Sequence, residues 1–202
     1  MCPNCNMQVV QTIGHATVWP KFKDARMVAH DDAWEAVASV LQQLVGPESA
    51  WQFQWGTAVS SSPCCTLLRP VIQHLPAPTP PKRWIIEELA RLRPDGLAVN
   101  TAQHSIVILE FCCPSESDSH PRQLRAAFNR KDLKYQVLVE ALQHHDWSVS
   151  LAPLVVGVQG LVVMEGVNQA ITALGLPASA AAPLAGAMAL ASVDAFMYLH
   201  LL

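Results

Sequence analysis

One stretch, residues 93–135, constrains the fold of this chain more than any other. It opens on Arg93-Pro94-Asp95-Gly96, turn chemistry that includes a carboxylate. A short apolar run follows, Leu97-Ala98-Val99, then a polar turn over 100–105. A stronger run, Ile106-Val107-Ile108-Leu109, ends in Glu110-Phe111. Two apolar runs joined by a polar turn predict a β-hairpin. With an acid at the start of one strand and another at the end of the next, Asp95 and Glu110 are expected at one edge of a sheet. That all-oxygen pair suits a hard cation, Mg²⁺ or Mn²⁺, held by one or two carboxylates together with water and substrate phosphate. Turn capping alone would account for Asp95, because Pro-Asp-Gly is good turn chemistry in its own right. Glu110 is harder to explain that way. A carboxylate closing an aliphatic strand needs a cation, a partner or solvent.

Residues 123–143 read as a helix. Leu124, Phe128, Tyr135, Leu138 and Leu142 recur at steps of three, four and seven, so they share one stripe. Lys131 falls inside that stripe, and Lys134 stands about 60° around from it. An ammonium on the inward face wants a carboxylate or phosphate nearby, which favours Lys131 for chemistry and Lys134 for a phosphate contact. The competing reading is a lysine that covers apolar surface with its stem. Arg122, Arg125 and Arg130 lie in the same segment and make it locally basic, although the net charge of the chain is −3.

This layout resembles the PD-(D/E)xK nuclease superfamily. It is most similar to the restriction-like endonuclease at the C-terminus of site-specific retrotransposons that lack long terminal repeats. In that group the lysine has left the second strand for the following helix, in a Lys-x-x-Lys-Tyr context. Lys131-Asp132-Leu133-Lys134-Tyr135 matches it, and Cys112 stands where the standard motif has lysine. Trp147-Ser148-Val149 and the run Pro153 to Gly160 look like the family's last core strand and its Val-Gly-x-x-Gly turn. The likeness spans roughly residues 83–176.

The resemblance implies an α/β (or α+β) fold, restriction-endonuclease-like, with a central mixed sheet flanked by helices. It implies metal-dependent hydrolysis of phosphodiester bonds in DNA, with no small-molecule cofactor. Asp95 and Glu110 would hold Mg²⁺ or Mn²⁺, assisted by Glu88 or Glu87 on a short helix over 84–92. Lys131 and Lys134 would join the catalytic group, while Arg122, Arg125, Arg130 and Lys134 would contact nucleic acid. The chain is then expected to be the tail of a larger retroelement protein acting inside the cell, in the nucleus. Two other classes stay open. One is a catalytically inactive remnant or DNA-binding module, favoured by Cys112-Cys113 and the acidic balance. The other is a membrane-associated protein anchored by its C-terminal segment.

The flanking segments are less informative. In 1–30, Cys2-x-x-Cys5 followed by His15 has the ligand types of a small zinc site. The family carries a Cys-Cys-His-Cys knuckle ahead of its endonuclease. Trp19 or Pro20 stands where its last cysteine is expected, leaving His30 as a substitute ligand; a decayed knuckle and a working Zn²⁺ site are both open. The cysteines otherwise come as adjacent pairs, poor disulfide partners, so a reducing compartment is expected. Asp31 or Asp32 is expected to cap a helix running to about residue 45. Residues 46–82 suggest a short strand over 51–59 and a Pro/Ser-rich linker. Residues 83–176 form the nuclease-like core, with a helix over 161–176. Residues 177–202 read as an apolar packing helix rather than a membrane span, because Pro183, Gly186, Asp194 and His200 interrupt it.

Overall fold

The structure is a computed structural model in which residues 23–56, 92–114, 120–143 and 146–197 are described. Helix α1 (Lys23–Val45) precedes strands β1 (Gln52–Trp55), β2 (Gly96–Asn100) and β3 (Ser105–Cys112). Helix α2 (His120–Gln143) crosses over to β4 (Ser148–Val155). Helix α3 (Met164–Ala173), a 3-10 turn (Ala178–Ala180) and helix α4 (Ala181–Met197) complete the described chain. The sheet order is β1-β2-β3-β4, antiparallel for the first two pairs and parallel for β3 and β4. The molecule is therefore a mixed α/β protein with a four-stranded mixed sheet flanked by helices.

Side chains alternate across the sheet and separate two cores. Leu97, Val99, Ile106 and Ile108 face α2 and pack with Tyr135, Leu138 and Leu142. Ala98, Val107, Leu109, Phe111, Ala152 and Leu154 face the other way, toward α1, α3 and α4. The central strands are buried on both sides, hence the unbroken apolar run at 106–109. The helical stripe read from the sequence is the buried face of α2, with Leu124, Phe128, Tyr135, Leu138 and Leu142 all inaccessible.

Three boundaries differ from those expected. Helix α1 is already formed at Lys23, so Asp31 and Asp32 lie in mid-helix and exposed rather than at its cap. Ala29 and Ala33 continue the buried line of Trp34, Val37 and Leu41 toward the N-terminus, and packing of that line outweighs the local capping preference of two aspartates. The division at 30/31 therefore falls inside a helix. Helix α3 is shorter than expected: Leu174 caps it, Gly175 turns with φ +71°, and Leu176 N–H donates to the Ile171 carbonyl, a glycine stop ahead of Pro177. Leu184 and Met188 of α4 share one core with α1, the sheet and α3. The run Ala178–Met197 is long and apolar enough to cross a membrane by length and composition. Leu184, Met188, Ser192 and Phe196 form its buried line, and the Ser192 hydroxyl donates to the Gly157 carbonyl at 3.0 Å. Cys2, Cys5, His15, Glu87, Glu88, the linker and the helix over 84–92 (apart from Leu92) lie outside the described residues.

Close approach of α3 to β4 depends on one glycine. A Cβ on Gly166 would lie 2.8 Å from the Pro153 carbonyl carbon and overlap its oxygen. Backbone cannot give way as a flexible side chain would. Gly166→Ala is expected to destabilise the fold by about 2 kcal/mol, measured by urea unfolding. An unchanged midpoint would show that α3 can shift freely on the sheet.

Candidate functional site

The pairing of β2 with β3 fixes where the two acids stand. Gly96 pairs with Leu109, so one step further Asp95 faces Glu110 across the hairpin. Both keep the parity of Leu97 and Ile108, which turns them toward α2. This is the end of the sheet at which β2 begins and β3 runs out. On α2, Lys131 and Lys134 lie one turn before and beside Tyr135, so the helix lays two ammonium groups over the carboxylates.

Glu110 is the centre of the cluster. It is 1% exposed, and its Oε1 accepts hydrogen bonds from Lys131 Nζ at 2.5 Å and Lys134 Nζ at 3.2 Å. Its Oε2 lies 3.4 Å from the Asp95 N–H. Asp95 Oδ2 accepts from the Phe111 N–H at 2.8 Å, and the Asp95 carbonyl accepts from Trp34 Nε1 at 2.9 Å and the Gly56 N–H at 2.8 Å. The Tyr135 hydroxyl accepts from Lys134 Nζ at 2.7 Å and donates to the Arg93 carbonyl at 2.9 Å.

The electrostatics follow from that geometry. Burial, then the neighbouring Glu110 charge, pushes the Asp95 carboxyl up to about 6; His30, Lys131 and the Phe111 N–H pull the other way. Burial alone would lower the Lys131 ammonium, yet Glu110, by charge and hydrogen bond together, leaves it above its ordinary value. Burial and then Glu110 push the Tyr135 phenol up, so it remains a neutral donor. Burial raises the Cys112 thiol against the opposing pull of Lys131 and Arg130, and burial also raises Cys113.

Asp95, Glu110, Lys131 and Lys134 are thus brought together from the turn that leads into β2, the end of β3 and helix α2. His30 sits beside the acids, while Cys2, Cys5 and His15, its expected companions at a zinc site, lie outside the described residues. The His30 Nε2 is 3.3 Å from the Phe111 carbonyl and its ring centroid 5.5 Å from that of Phe111, while Nδ1 meets Asp31. It takes this position because α1 extends through residue 30 one turn before Trp34. The basic residues do not make one patch. Arg125 pairs with Glu165 of α3 and covers the Phe128 ring at 5.1 Å. Nine residues at ~100° each set Arg125 on the side of α2 opposite Lys134, whereas Arg130 stands only about 40° from Lys134. Arg122 and Arg130 are exposed. Cys112 shares the face of Glu110 and packs beside Leu124, Ala127 and Phe128.

Sequence reasoning missed three contributors. Tyr135 enters the sequence reading through the apolar stripe and the Lys-x-x-Lys-Tyr pattern, neither of which gives its hydroxyl a partner. Trp34 lies in the core, and its indole N–H also holds the Asp95 carbonyl. Asp31 and Glu35 of α1 line a cleft that ends at Arg93, Pro94 and Asp95. The signal was the Asp31–Glu35 spacing of one helical turn, and nothing local linked it to Asp95 some sixty residues on. Among the described residues no three His, Cys, Asp or Glu side chains converge as a metal cage. The two carboxylates are all-oxygen donors, which suits Mg²⁺ or Mn²⁺ completed by water and phosphate. No family model matches this chain, and no curated protein is detectably similar to it in sequence.

Proposed function

We propose that this protein is a metal-dependent DNA endonuclease with a restriction-endonuclease-like core. The observation that carries the reading is the facing pair Asp95–Glu110 with Lys131 delivered onto it by the crossover helix. Asp95 and Glu110 would hold Mg²⁺ or Mn²⁺. When bound, such an ion polarises the phosphate and makes water a better nucleophile at neutral pH. Lys131 supplies a fixed positive charge where negative charge develops on the phosphoryl oxygens. Lys134 and Arg130, on the adjoining flank of α2, neutralise flanking phosphates. Retroelement origin and action in the nucleus belong to the same proposal.

A second reading, a catalytically silent module that keeps DNA contact, draws on Glu110 itself. One of its oxygens is already shared by two ammonium groups, and a metal must compete with both. Nicking of supercoiled plasmid with and without Mg²⁺ or Mn²⁺ separates the readings. The endonuclease nicks with metal and stops with chelator. Binding without nicking in either metal favours the silent module, and neither binding nor nicking overturns both.

The two lysines should differ within an active protein. Lys131→Ala is expected to slow nicking at least about 100-fold with DNA affinity nearly unchanged. Lys134→Ala should weaken affinity and reduce the slope of log affinity against log salt by about one. Reversed phenotypes would exchange their roles.

A further inference from the structure

We infer that the Tyr135 hydroxyl is a positioning group for Asp95, holding the turn that carries the acid onto the helix that carries the lysines. Its catalytic consequence rests on the endonuclease reading, whereas the positioning itself does not. The β2 ladder begins at Gly96, so residues 93–95 lie beyond regular strand pairing. Pro94 has no N–H to contribute. On one side of the Pro94–Asp95 unit, the Arg93 carbonyl is held by Tyr135 at 2.9 Å. On the other, the Asp95 carbonyl is held by Trp34 and Gly56. Asp95 is bracketed, and its carboxylate accepts from the Phe111 N–H.

The Tyr135 ring is fully buried between Leu97, Ile108 and Leu138, so its hydroxyl has little freedom to wander. The same oxygen accepts from Lys134 Nζ, whose ammonium also lies 4.5 Å from the ring centroid and reaches Glu110. One atom therefore ties the position of Asp95 to that of a lysine on Glu110. A phenylalanine would fill the core equally well and lose the hydroxyl's contacts with the Arg93 carbonyl, Lys134 and Glu110.

Tyr135→Phe tests it through native-state hydrogen exchange without metal or DNA. The Phe111 amide, whose acceptor is Asp95 Oδ2, should exchange about tenfold faster, with Val107 and Leu109 unchanged. Unchanged exchange at Phe111 overturns the inference. Uniform acceleration over the sheet, or failure to fold, also overturns it, because the hydroxyl would then serve stability alone. Lys134→Met, which keeps the Tyr135–Arg93 bond, should leave the Phe111 amide near its original rate; acceleration equal to that of Tyr135→Phe would assign the tie to the lysine. Mn²⁺ titration by electron paramagnetic resonance should show binding weakened about tenfold in Tyr135→Phe, and nicking should lose kcat with KM for DNA retained. If the unaltered protein neither binds Mn²⁺ nor nicks DNA, the endonuclease reading fails, and the exchange rates still decide the positioning role.

Discussion

Glu110→Ala is expected to remove metal-dependent nicking and to cost about 3 kcal/mol of stability. The two losses have different origins. Glu110 is inaccessible and bonded to Lys131, whose side chain is only 21% exposed. Truncating one partner leaves the other charge buried and unpaired, which costs roughly 3–5 kcal/mol. The lower end applies because Asp95 remains nearby as a second carboxylate. Lys134 is 42% exposed, turns to water and adds little. On the proposed endonuclease reading, loss of one of the two carboxylates that would hold the metal removes several kcal/mol of transition-state stabilisation; about 4 kcal/mol corresponds to a rate loss of ~1000-fold. Urea unfolding and plasmid nicking measure the two separately. Glu110→Leu combined with Lys131→Met should regain most of the stability and none of the cleavage, since an apolar pair of similar volume replaces a buried ion pair well. If Glu110→Ala were as stable as the unaltered protein, Lys131 would have another partner and the cluster would not be a coupled unit.

That coupling explains which parts of the molecule were legible in the sequence. Helix α2 was legible because Leu124, Phe128, Tyr135, Leu138 and Leu142 obey one period and Lys131 interrupts it. An interruption in an apolar stripe requires a counter-charge, and Glu110 answers the requirement from a strand some twenty residues earlier. The hairpin was legible for a similar reason, as two apolar runs around a polar turn leave few registers. What local pattern misses is set by tertiary packing. Asp31 and Asp32 resemble a helix cap until Ala29 and Ala33 are seen buried on the same helix. The placement of His30 beside Phe111 and Asp95 follows from the helix that carries it and leaves no local pattern to read. Arg125 looks like part of a basic cluster in one dimension, while on a helix it faces away from Lys134 and meets Glu165. The hydrogen bond from Tyr135 to Arg93 joins atoms 42 residues apart and leaves no trace in spacing.

Asp95→Asn is expected to stabilise the protein at neutral pH while ending the proposed nicking activity. The Asp95 carboxyl rises from 3.8 to about 6 in the fold, which corresponds to about 3 kcal/mol. Below pH 3.8 the group is protonated both folded and unfolded, and it costs nothing. Between about pH 4 and 6 the unfolded chain releases the proton first, so stability falls as pH rises. Above about 6 the penalty is complete and constant. The amide introduced by Asp95→Asn can still accept the Phe111 N–H through its oxygen, but it carries no charge to be buried or repelled by Glu110. After allowance for partial solvent screening, the variant should be about 2 kcal/mol more stable at about pH 7.5, equal near pH 3, and flatter in between. Activity that needs ionised Asp95 should have an acid limb near pH 6 in the unaltered protein. A divalent cation would offset both the burial of that charge and its repulsion from Glu110, so Mg²⁺ should raise the melting temperature of the unaltered protein and leave that of Asp95→Asn where it was. A site that holds a buried carboxylate beside a second one gives up stability that a bound cation would restore. If the stability of the two proteins ran parallel from about pH 3 to about 7.5, Asp95 would carry no such strain, and the case for a cation at this end of the sheet would lose its electrostatic basis.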